Sequence, residues 1–358
     1  MTRPRRLTAR IGAIAAAITV SALALAGCAG GDASASAGGG GEDVLKMTYI
    51  SYLPMTTLST SIEMLADTGG YFTKHGLDVE FQVVKGAGAA IPALIGGQTP
   101  VTKVGMIDAL TAADEGQPLV QVGTIERGGA FQIVSDKKDP ITTLDDLEGK
   151  VIGLSSIGGT SEKTLRLALK DVGLDLKQID SPGKGEVGMT VVGSGPADFA
   201  NVQNGRIAAY MVGIDIATIV AKQFGDEAVI ASGLTSKVQA DSQVYVATKD
   251  SLEKNAEVIK RFLAATTEAK QALLDDETLD DSVASLQSGY SFPSLDDAEV
   301  AKQSIDQLRA RWTIDGEYPS LENETDRFVS AYGELKSNNL LKAGDGDPAE
   351  WVTNDYLP

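Results

Sequence analysis

Two aspartates stand at matching positions in the sequence, each just after a predicted strand. Asp108 follows the apolar run in KVGMIDAL, and Asp215 follows a strand at 206–212 in MVGIDIATI. Open α/β sheets bind ligands outside the carboxyl ends of their strands. Carboxylates at those ends suit a ligand that carries an amine or another cationic group. The alternative for Asp108 is a structural role as the N-cap of the next helix.

The stretch SSIGGTSEKTL, residues 155–165, combines a strand end, a glycine turn and the start of a helix. Gly159, Thr160 and Ser161 offer free N–H groups and hydroxyls at the positive end of the helix dipole. Such a turn can bind an anion or a carbonyl group. The alternative is an ordinary helix cap without a ligand.

Four further residues are candidates for ligand contact. Tyr52 and Met55 lie in the loop after the first strand, where they could stack on a flat ligand. Arg127, in TIERGGAF, could clamp a sulfonate or carboxylate with two hydrogen bonds, or it pairs with Glu126 at the surface. Asp241 precedes the second crossing strand and either contacts the ligand or is a solvated hinge residue.

Several kinds of chemistry lack the residues they need. The chain has one cysteine, Cys28, and one histidine, His75. This count excludes an intrachain disulfide, a multi-thiolate or His-cluster metal site, and the usual serine triad within one chain. GAGAAI and GSGPAD lack the third glycine of the dinucleotide fingerprint. We therefore expect no cofactor, no metal and no enzymatic activity.

The charge balance excludes another class of partner. The chain has 31 basic and 49 acidic residues, a formal net charge of −18 at pH 7. Arg3, Arg5, Arg6 and Arg10 lie in the first ten positions, so the rest of the chain is still more acidic. A body this acidic should repel nucleic acid, and we expect no nucleic-acid partner.

From residue 44 onward, short apolar runs alternate with amphipathic stretches. The runs VLKMTYIS, LDVEFQVV, VTKVGMI and LVQVGTI read as strands separated by helices, and the pattern restarts with FQIVS, VIGLSS, MTVVG and RIAAYMVG. This alternation favours an α/β fold with mostly parallel sheets. We predict two lobes with two crossover strands, lobe one from 44–130 and 241–358 and lobe two from 131–240. The helical C-terminal tail should pack on lobe one, and the cleft should bind a small molecule.

The N-terminal segment predicts export and anchoring. Residues 1–27 read as a lipoprotein signal peptide, because a basic start precedes an apolar run shorter than the roughly 20 residues of a membrane span. Leu25-Ala26-Gly27-Cys28 resembles a bacterial lipobox, which implies lipid on Cys28 and a membrane anchor. Residues 28–43, rich in Gly, Ser and Ala, read as a disordered tether. Arg5-Arg6 leaves twin-arginine export as an alternative to Sec.

Four stretches resemble one known family. GGYFTKHGLDVEF, TTLDDLEGKVIGLSSIGGTSEKTLRLALKDVGLDL, KNAEVIKRFLAATTEA and WVTNDYLP occur in the order typical of the NMT1/THI5-like substrate-binding proteins, which serve ABC importers of nitrate, sulfonates, taurine and thiamine precursors. The resemblance covers roughly residues 44–358. It implies a type II periplasmic-binding-protein fold and a monomer that delivers its ligand to a permease and its ATPase. It also implies a position on the extracytoplasmic face of the cell membrane.

The family resemblance leaves the ligand class open. Many members carry an aromatic-x-Pro pattern near Asp215, and this chain does not. The aspartates favour an amine-bearing or heteroaromatic ligand, such as a thiamine pyrimidine precursor, and the alternative is a sulfonate, taurine or nitrate. A remote alternative is an enzyme, since pyrimidine-forming enzymes share the fold. Those enzymes carry a cysteine-rich motif that this chain lacks.

Overall fold

The computed structural model describes residues 44–313, 320–342 and 344–358. The predicted signal peptide, the lipid site Cys28 and the tether lie outside the described residues. The described part of the chain belongs to one compact unit. Within these ranges, no helix combines the length and the apolar character needed to cross a membrane.

Five strands form the first sheet, here sheet A, in the order β2-β1-β3-β11-β4. β1 pairs in parallel with β2 and β3, whereas β11 runs antiparallel to β3 and β4. The strands are β1 (Leu45–Ser51), β2 (Leu77–Val83), β3 (Thr102–Val104), β4 (Leu119–Glu126) and β11 (Gln243–Thr248).

Six strands form the second sheet, here sheet B, in the order β10-β5-β9-β6-β8-β7. β6, β7, β8 and β9 run parallel to one another, and β5 runs antiparallel to β9 and β10. The strands are β5 (Gln132–Asp136), β6 (Val151–Leu154), β7 (Asp175–Lys177), β8 (Glu186–Val191), β9 (Ala209–Val212) and β10 (Ala228–Ala231).

Thirteen α-helices cover the faces of the two sheets in the described part of the chain. They are α1 (Ser61–Thr68), α2 (Tyr71–Lys74), α3 (Ala87–Ile95), α4 (Met106–Asp114), α5 (Thr160–Lys170), α6 (Phe199–Gln203), α7 (Ile214–Phe224), α8 (Lys249–Lys254), α9 (Ala256–Asp275), α10 (Asp280–Gly289), α11 (Pro293–Asp296), α12 (Ala298–Trp312) and α13 (Thr325–Ser337).

The apolar faces of the helices explain how they pack. On α9 and α12, Phe262 and Trp312 are buried with Tyr49 of β1 in one core on sheet A. A second core on sheet A joins α4, through Leu110, to α13, through Phe328. Sheet B has one core with α5 and another with α6 and α7. The C-terminal helices thus pack on sheet A, as the sequence predicted, and α12 also contacts α7.

The chain passes between the sheets twice, from β4 to β5 and from β10 to β11. In each sheet a strand next to a crossing runs antiparallel to its neighbours. The expected α/β fold with two sheets and two crossings is confirmed. Two details differ: the strand predicted at 101–107 ends at Val104, and β7 and β10 were not predicted. Both extra strands have at most four residues, so sheet pairing rather than a local pattern defines them.

Candidate ligand-binding site

A cavity of about 270 Å³ lies where loops from sheet A and sheet B meet. The β1–α1 loop and the ends of β4 and β11 contribute from sheet A, and the loops after β6, β8 and β9 contribute from sheet B. The polar lining residues are Tyr52, Thr56, Thr57, Ser59, Glu126, Ser155, Ser161, Ser194, Asp215, Ser242 and Gln243. Among the described residues that line it, none is Lys, Arg or His.

Apolar side chains line the rest of the cavity. They include Phe131, Met211, Ile214 and Leu308. Together with Tyr52 they provide a surface that can contact a small ring, while the hydroxyls fix its orientation. The cavity therefore suits a small molecule with an apolar body and several hydrogen-bonding groups.

Glu126 and Gln243 are paired on the two strands that border the cavity. They are opposite each other in the β4–β11 register, which places both side chains on one face of the sheet. Glu126 is 2 % exposed and Gln243 is 5 % exposed. Within the described residues, the Oε1 atom of each side chain has no hydrogen-bond partner. Two buried acceptors are thus left for a ligand or solvent to satisfy.

The pKa of the Glu126 carboxyl lies near neutral pH, chiefly because the side chain is buried. Burial raises the pKa of Glu126 to about 7, and the carboxylates of Glu63 and Asp215 act in the same direction. Lys103 and Arg311 lower the pKa of Glu126. The Lys103 ammonium already pairs with the Glu63 carboxylate at 3.0 Å, so its charge is largely compensated.

Asp215 connects the two sides of the cavity. It lies in the first turn of α7, after β9, and is 2 % exposed. Its Oδ2 accepts from the Thr57 hydroxyl at 2.9 Å and from the Leu58 N–H at 3.2 Å, and both donors come from the β1–α1 loop. Ser294 donates to the same oxygen at 3.4 Å. Asp215 therefore lines the cavity and also holds sheet B against sheet A.

A second contact between the two sides joins α4 to α5. The Thr160 hydroxyl donates to Asp108 Oδ2 at 2.6 Å, and Lys163 Nζ donates to the Thr111 hydroxyl at 2.8 Å. Gly105, just before α4, permits this approach, because a Cβ atom there would lie 2.1 Å from Thr160 Oγ1. Asp108 is not the N-cap of α4: that position is Gly105, and Asp108 lies in the first turn.

The family comparison agrees with this architecture. The family model described as NMT1/THI5 like matches residues 59–278, well over half of the chain. The chain belongs to the NMT1/THI5-like family. A Haemophilus influenzae protein whose curated name provisionally assigns it to thiamine biosynthesis is 29% identical over 119 residues. That match spans 33% of this chain and 37% of the relative, so it covers only about a third of either protein.

Solved structures give the fold class of this NMT1/THI5-like chain. The alkanesulfonate-binding protein of Xanthomonas axonopodis pv. citri, bound to MOPS, matches with a TM-score of 0.63 at 16% identity, covering 87% of this chain and 99% of that one. The aliphatic sulphonate-binding protein of Escherichia coli matches at 0.62 and 20% identity, with coverages of 85% and 91%. The nitrate-binding protein of Synechocystis PCC 6803 matches at 0.62 and 14% identity, with coverages of 88% and 87%. The periplasmic-binding-protein fold is thereby confirmed.

The structure brings three of the nine predicted site residues to the cavity. Tyr52, Ser161 and Asp215 line it. Gly159 is the N-cap of α5, and Thr160 faces Asp108 in the contact between α4 and α5. These placements separate residues that can touch a ligand in the cavity from residues that hold its walls together.

Three predicted residues lie elsewhere. Met55 packs against the core of sheet A. Arg127 is buried and donates to Glu324 at 3.0 Å and to the Glu322 carbonyl at 2.7 Å, so it is neither a clamp in this cavity nor a surface partner of Glu126. Asp241 is buried as well, so it is not a solvated hinge residue.

The polar contacts of Asp241 fasten the crossing segments to α13. Its Oδ1 accepts from the Gly128 N–H at 2.8 Å and from Arg327 Nε at 2.9 Å. Burial raises the pKa of this carboxyl, and the guanidinium of Arg327 opposes that rise. Asp241 therefore joins both crossings to a helix of the sheet-A side.

Glu126 and Gln243 are lining residues that the sequence did not predict. Adjacent residues of a strand point to opposite faces, so only one of Glu126 and Arg127 can face the cavity. All eight residues of β4 are buried. The strand therefore has no alternation of polar and apolar residues that would indicate whether Glu126 or Arg127 faces the cavity. The sequence feature that could have indicated Glu126 is an acidic residue at the end of a buried strand, directly before a crossing.

Proposed function

We propose that this protein is the extracytoplasmic solute-binding component of an ABC importer. It captures a small polar ligand between its two sheets and delivers it to a permease with its ATPase, acting as a monomer and without catalysis. Family membership and the fold support this assignment. The single observation that carries it is the cavity between the sheets, lined by hydroxyls, carboxylates and aromatic side chains from both sides of the fold.

The proposed ligand is an amine-bearing or heteroaromatic molecule, such as a thiamine pyrimidine precursor. Glu126 and Asp215 bring two carboxylates to the cavity, and no basic residue among the described lining residues balances them. Tyr52 and Phe131 provide aromatic surface for a ring. The Haemophilus influenzae relative, which is matched over about a third of its length, is named for thiamine biosynthesis, and this supports the choice of a thiamine precursor.

The alternative ligand is a sulfonate, taurine or nitrate. The names of the structural relatives favour it, and so does the donor turn at Gly159–Ser161. In this chain the Thr160 hydroxyl of that turn already donates to Asp108. A bare oxyanion would therefore meet two carboxylates in the cavity and no basic residue among the described lining residues, which makes it the second choice.

The membrane anchor of this function is proposed from the sequence. Residues 1–27 would be removed and Cys28 would carry lipid. The lipid and the tether at 28–43 would then hold the binding domain next to its permease. The two sides of the fold would contact the ligand first and the permease afterwards, as in other proteins that close around a ligand.

Uptake by intact cells tests the function and the anchor together. Deletion of the gene should abolish uptake of a labelled thiamine pyrimidine precursor, and the wild-type gene should restore it. Cys28→Ser should release the protein into the medium and restore little uptake, because the free protein is diluted away from the permease. Full uptake of the precursor in the deletion strain would contradict the proposed ligand. Loss of taurine or nitrate uptake instead would support the alternative.

A further inference from the structure

The strand ends that border the cavity carry two acceptors without partners. Most buried polar atoms in proteins have a hydrogen-bond partner, and a buried acceptor without one costs stability. Glu126 Oε1 and Gln243 Oε1 are two such atoms within the described residues, and both side chains line the cavity. Their coincidence on paired residues of β4 and β11 indicates a recognition element rather than two unrelated defects.

We propose that Glu126 and Gln243 form an acceptor pair that recognises a nitrogen group with N–H donors, such as an aminopyrimidine, amidine or primary amine. This inference rests on the proposed binding function and assigns the specificity of that site to two residues. Because the residues are opposite each other on antiparallel strands, their side chains lie side by side on one face. One nitrogen group can therefore donate to both.

The surroundings of Glu126 make it suitable for this role. Lys103 pairs with Glu63, and Asp215 accepts from Thr57 and Leu58, so these neighbours are engaged. The remaining charged neighbour, Arg311, influences Glu126 electrostatically without lining the cavity. Burial and the nearby Glu126 carboxylate raise the pKa of Tyr52, another lining residue, so its phenol stays neutral, and no hydrogen bond joins it to Glu126 Oε1 within the described residues. An N–H donor of a ligand would provide the hydrogen bond to Glu126 Oε1 that these groups do not make.

Calorimetry with matched probes tests the pair. The probes are 4-aminopyrimidine and pyrimidine, which differ only in the amino group, together with taurine as an oxyanion that also carries an amine and nitrate as a bare oxyanion. The titrations are made at about pH 8, above the Glu126 pKa of about 7, so that the carboxyl is ionised. The wild type should bind 4-aminopyrimidine at least tenfold more tightly than pyrimidine.

Two variants and one control complete the test. Glu126→Gln should weaken 4-aminopyrimidine binding by about ten- to a hundredfold, the usual cost of a lost charge-assisted hydrogen bond. Gln243→Met should weaken it by a smaller factor. Asp114→Asn is the matched control, since Asp114 is also a buried carboxylate with one unpartnered oxygen but lies outside the cavity. It should leave the affinity unchanged.

The outcomes separate this inference from the proposed function. Equal binding of the two pyrimidines, equal binding by wild type and Glu126→Gln, or no binding of 4-aminopyrimidine up to millimolar concentrations overturns the acceptor pair. Nitrate binding that Glu126→Gln leaves unchanged overturns the pair while the solute-binding function stands. A folded Glu126→Gln protein, shown by an unchanged circular dichroism spectrum, ensures that the loss reports on the site.

Discussion

At the scale of single residues, the burial of the Glu126 carboxyl in the cavity wall opposes folding. The side chain is 2 % exposed, and its Oε1 has no partner within the described part of the chain. Burial raises its pKa to about 7. In the folded protein the carboxyl therefore keeps its proton at pH values where the unfolded chain has lost it. The unpartnered carboxyl oxygen can accept a hydrogen bond from a ligand, but burying this group lowers the free energy of unfolding near neutral pH.

The raised pKa of Glu126 makes the stability of the fold depend on pH. Folding raises the pKa of Glu126 to about 7 from its ordinary value of 4.5, so its contribution to stability is fully present below pH 4.5 and is lost as pH rises through 7. Glu126→Gln removes this loss. The variant should gain on the order of 3 kcal/mol over wild type between those limits and keep a constant advantage above them.

Thermal or urea unfolding across this pH range measures the difference between the two proteins. Other buried carboxyls, such as Asp108 and Asp241, titrate in both proteins and cancel in the comparison. Glu80→Gln, at an exposed position, is the control and should follow wild type at every pH. A constant difference between Glu126→Gln and wild type from acid to neutral pH would show that Glu126 ionises normally in the fold.

At the scale of elements, the sequence predicted the strands that have a strong local pattern. β1, β2, β4 and β9 were expected, and so was the position of Asp215 just after β9. The short strands β7 and β10 were missed, because their pairing partners rather than their own residues define them. The sequence also could not predict which face of β4 points into the cavity. Every residue of that strand is buried, so nothing local shows whether Glu126 or Arg127 faces the cavity.

The junction between β3 and α4 contains a glycine whose substitution should disturb the contact between α4 and α5. Gly105 has φ −71°, a conformation that alanine accepts, but an alanine Cβ would lie 2.1 Å from Thr160 Oγ1. Gly105→Ala should therefore push α5 away from α4 and break the Thr160–Asp108 hydrogen bond. Ligand affinity, measured by calorimetry with the compound that wild type binds, should fall by about ten- to a hundredfold.

A matched glycine variant shows whether this effect is specific. Gly88, in α3, has open space around the position that a Cβ atom would take, with no neighbouring atom within 4 Å. Gly88→Ala should therefore leave affinity unchanged and slightly stabilise the helix. If Gly105→Ala binds the ligand as tightly as wild type, the contact between α4 and α5 has no part in ligand capture.

At the scale of the whole molecule, two sets of contacts have different roles. At the crossings, Asp241 joins the Gly128 backbone to Arg327, and Ser242 donates to the Gly128 carbonyl at 2.7 Å. Around the cavity, Asp215 accepts hydrogen bonds from Thr57, Leu58 and Ser294, and Asp108 accepts one from Thr160. We expect the crossings to act as a hinge and the contacts around the cavity to form and break as the ligand enters and leaves.

Distances between spin labels test this motion directly. Val83 and Val191 are exposed at the carboxyl ends of β2 in sheet A and β8 in sheet B, and Cys28 is the sole cysteine of the chain. In a Cys28→Ser background, labels at Val83→Cys and Val191→Cys should report a shorter distance with 4-aminopyrimidine than without it. A bound ligand adds contacts to both sides of the cavity and so shifts the population towards the arrangement in which they are close.

Two comparisons make the distance measurement decisive. A pair at Val83 and Val329, both on the sheet-A side, should give one distance under all conditions, because no hinge separates them. Adding Gly105→Ala to the Val83 and Val191 pair should shift the distribution towards longer distances even with ligand, because the added methyl group blocks the approach of α5 to α4. Identical distributions with ligand, without ligand and with Gly105→Ala would mean that the protein binds through a rigid cavity. Recognition by the permease would then have to depend on the ligand or on the surface around it, since a change in shape could not signal that the site is filled.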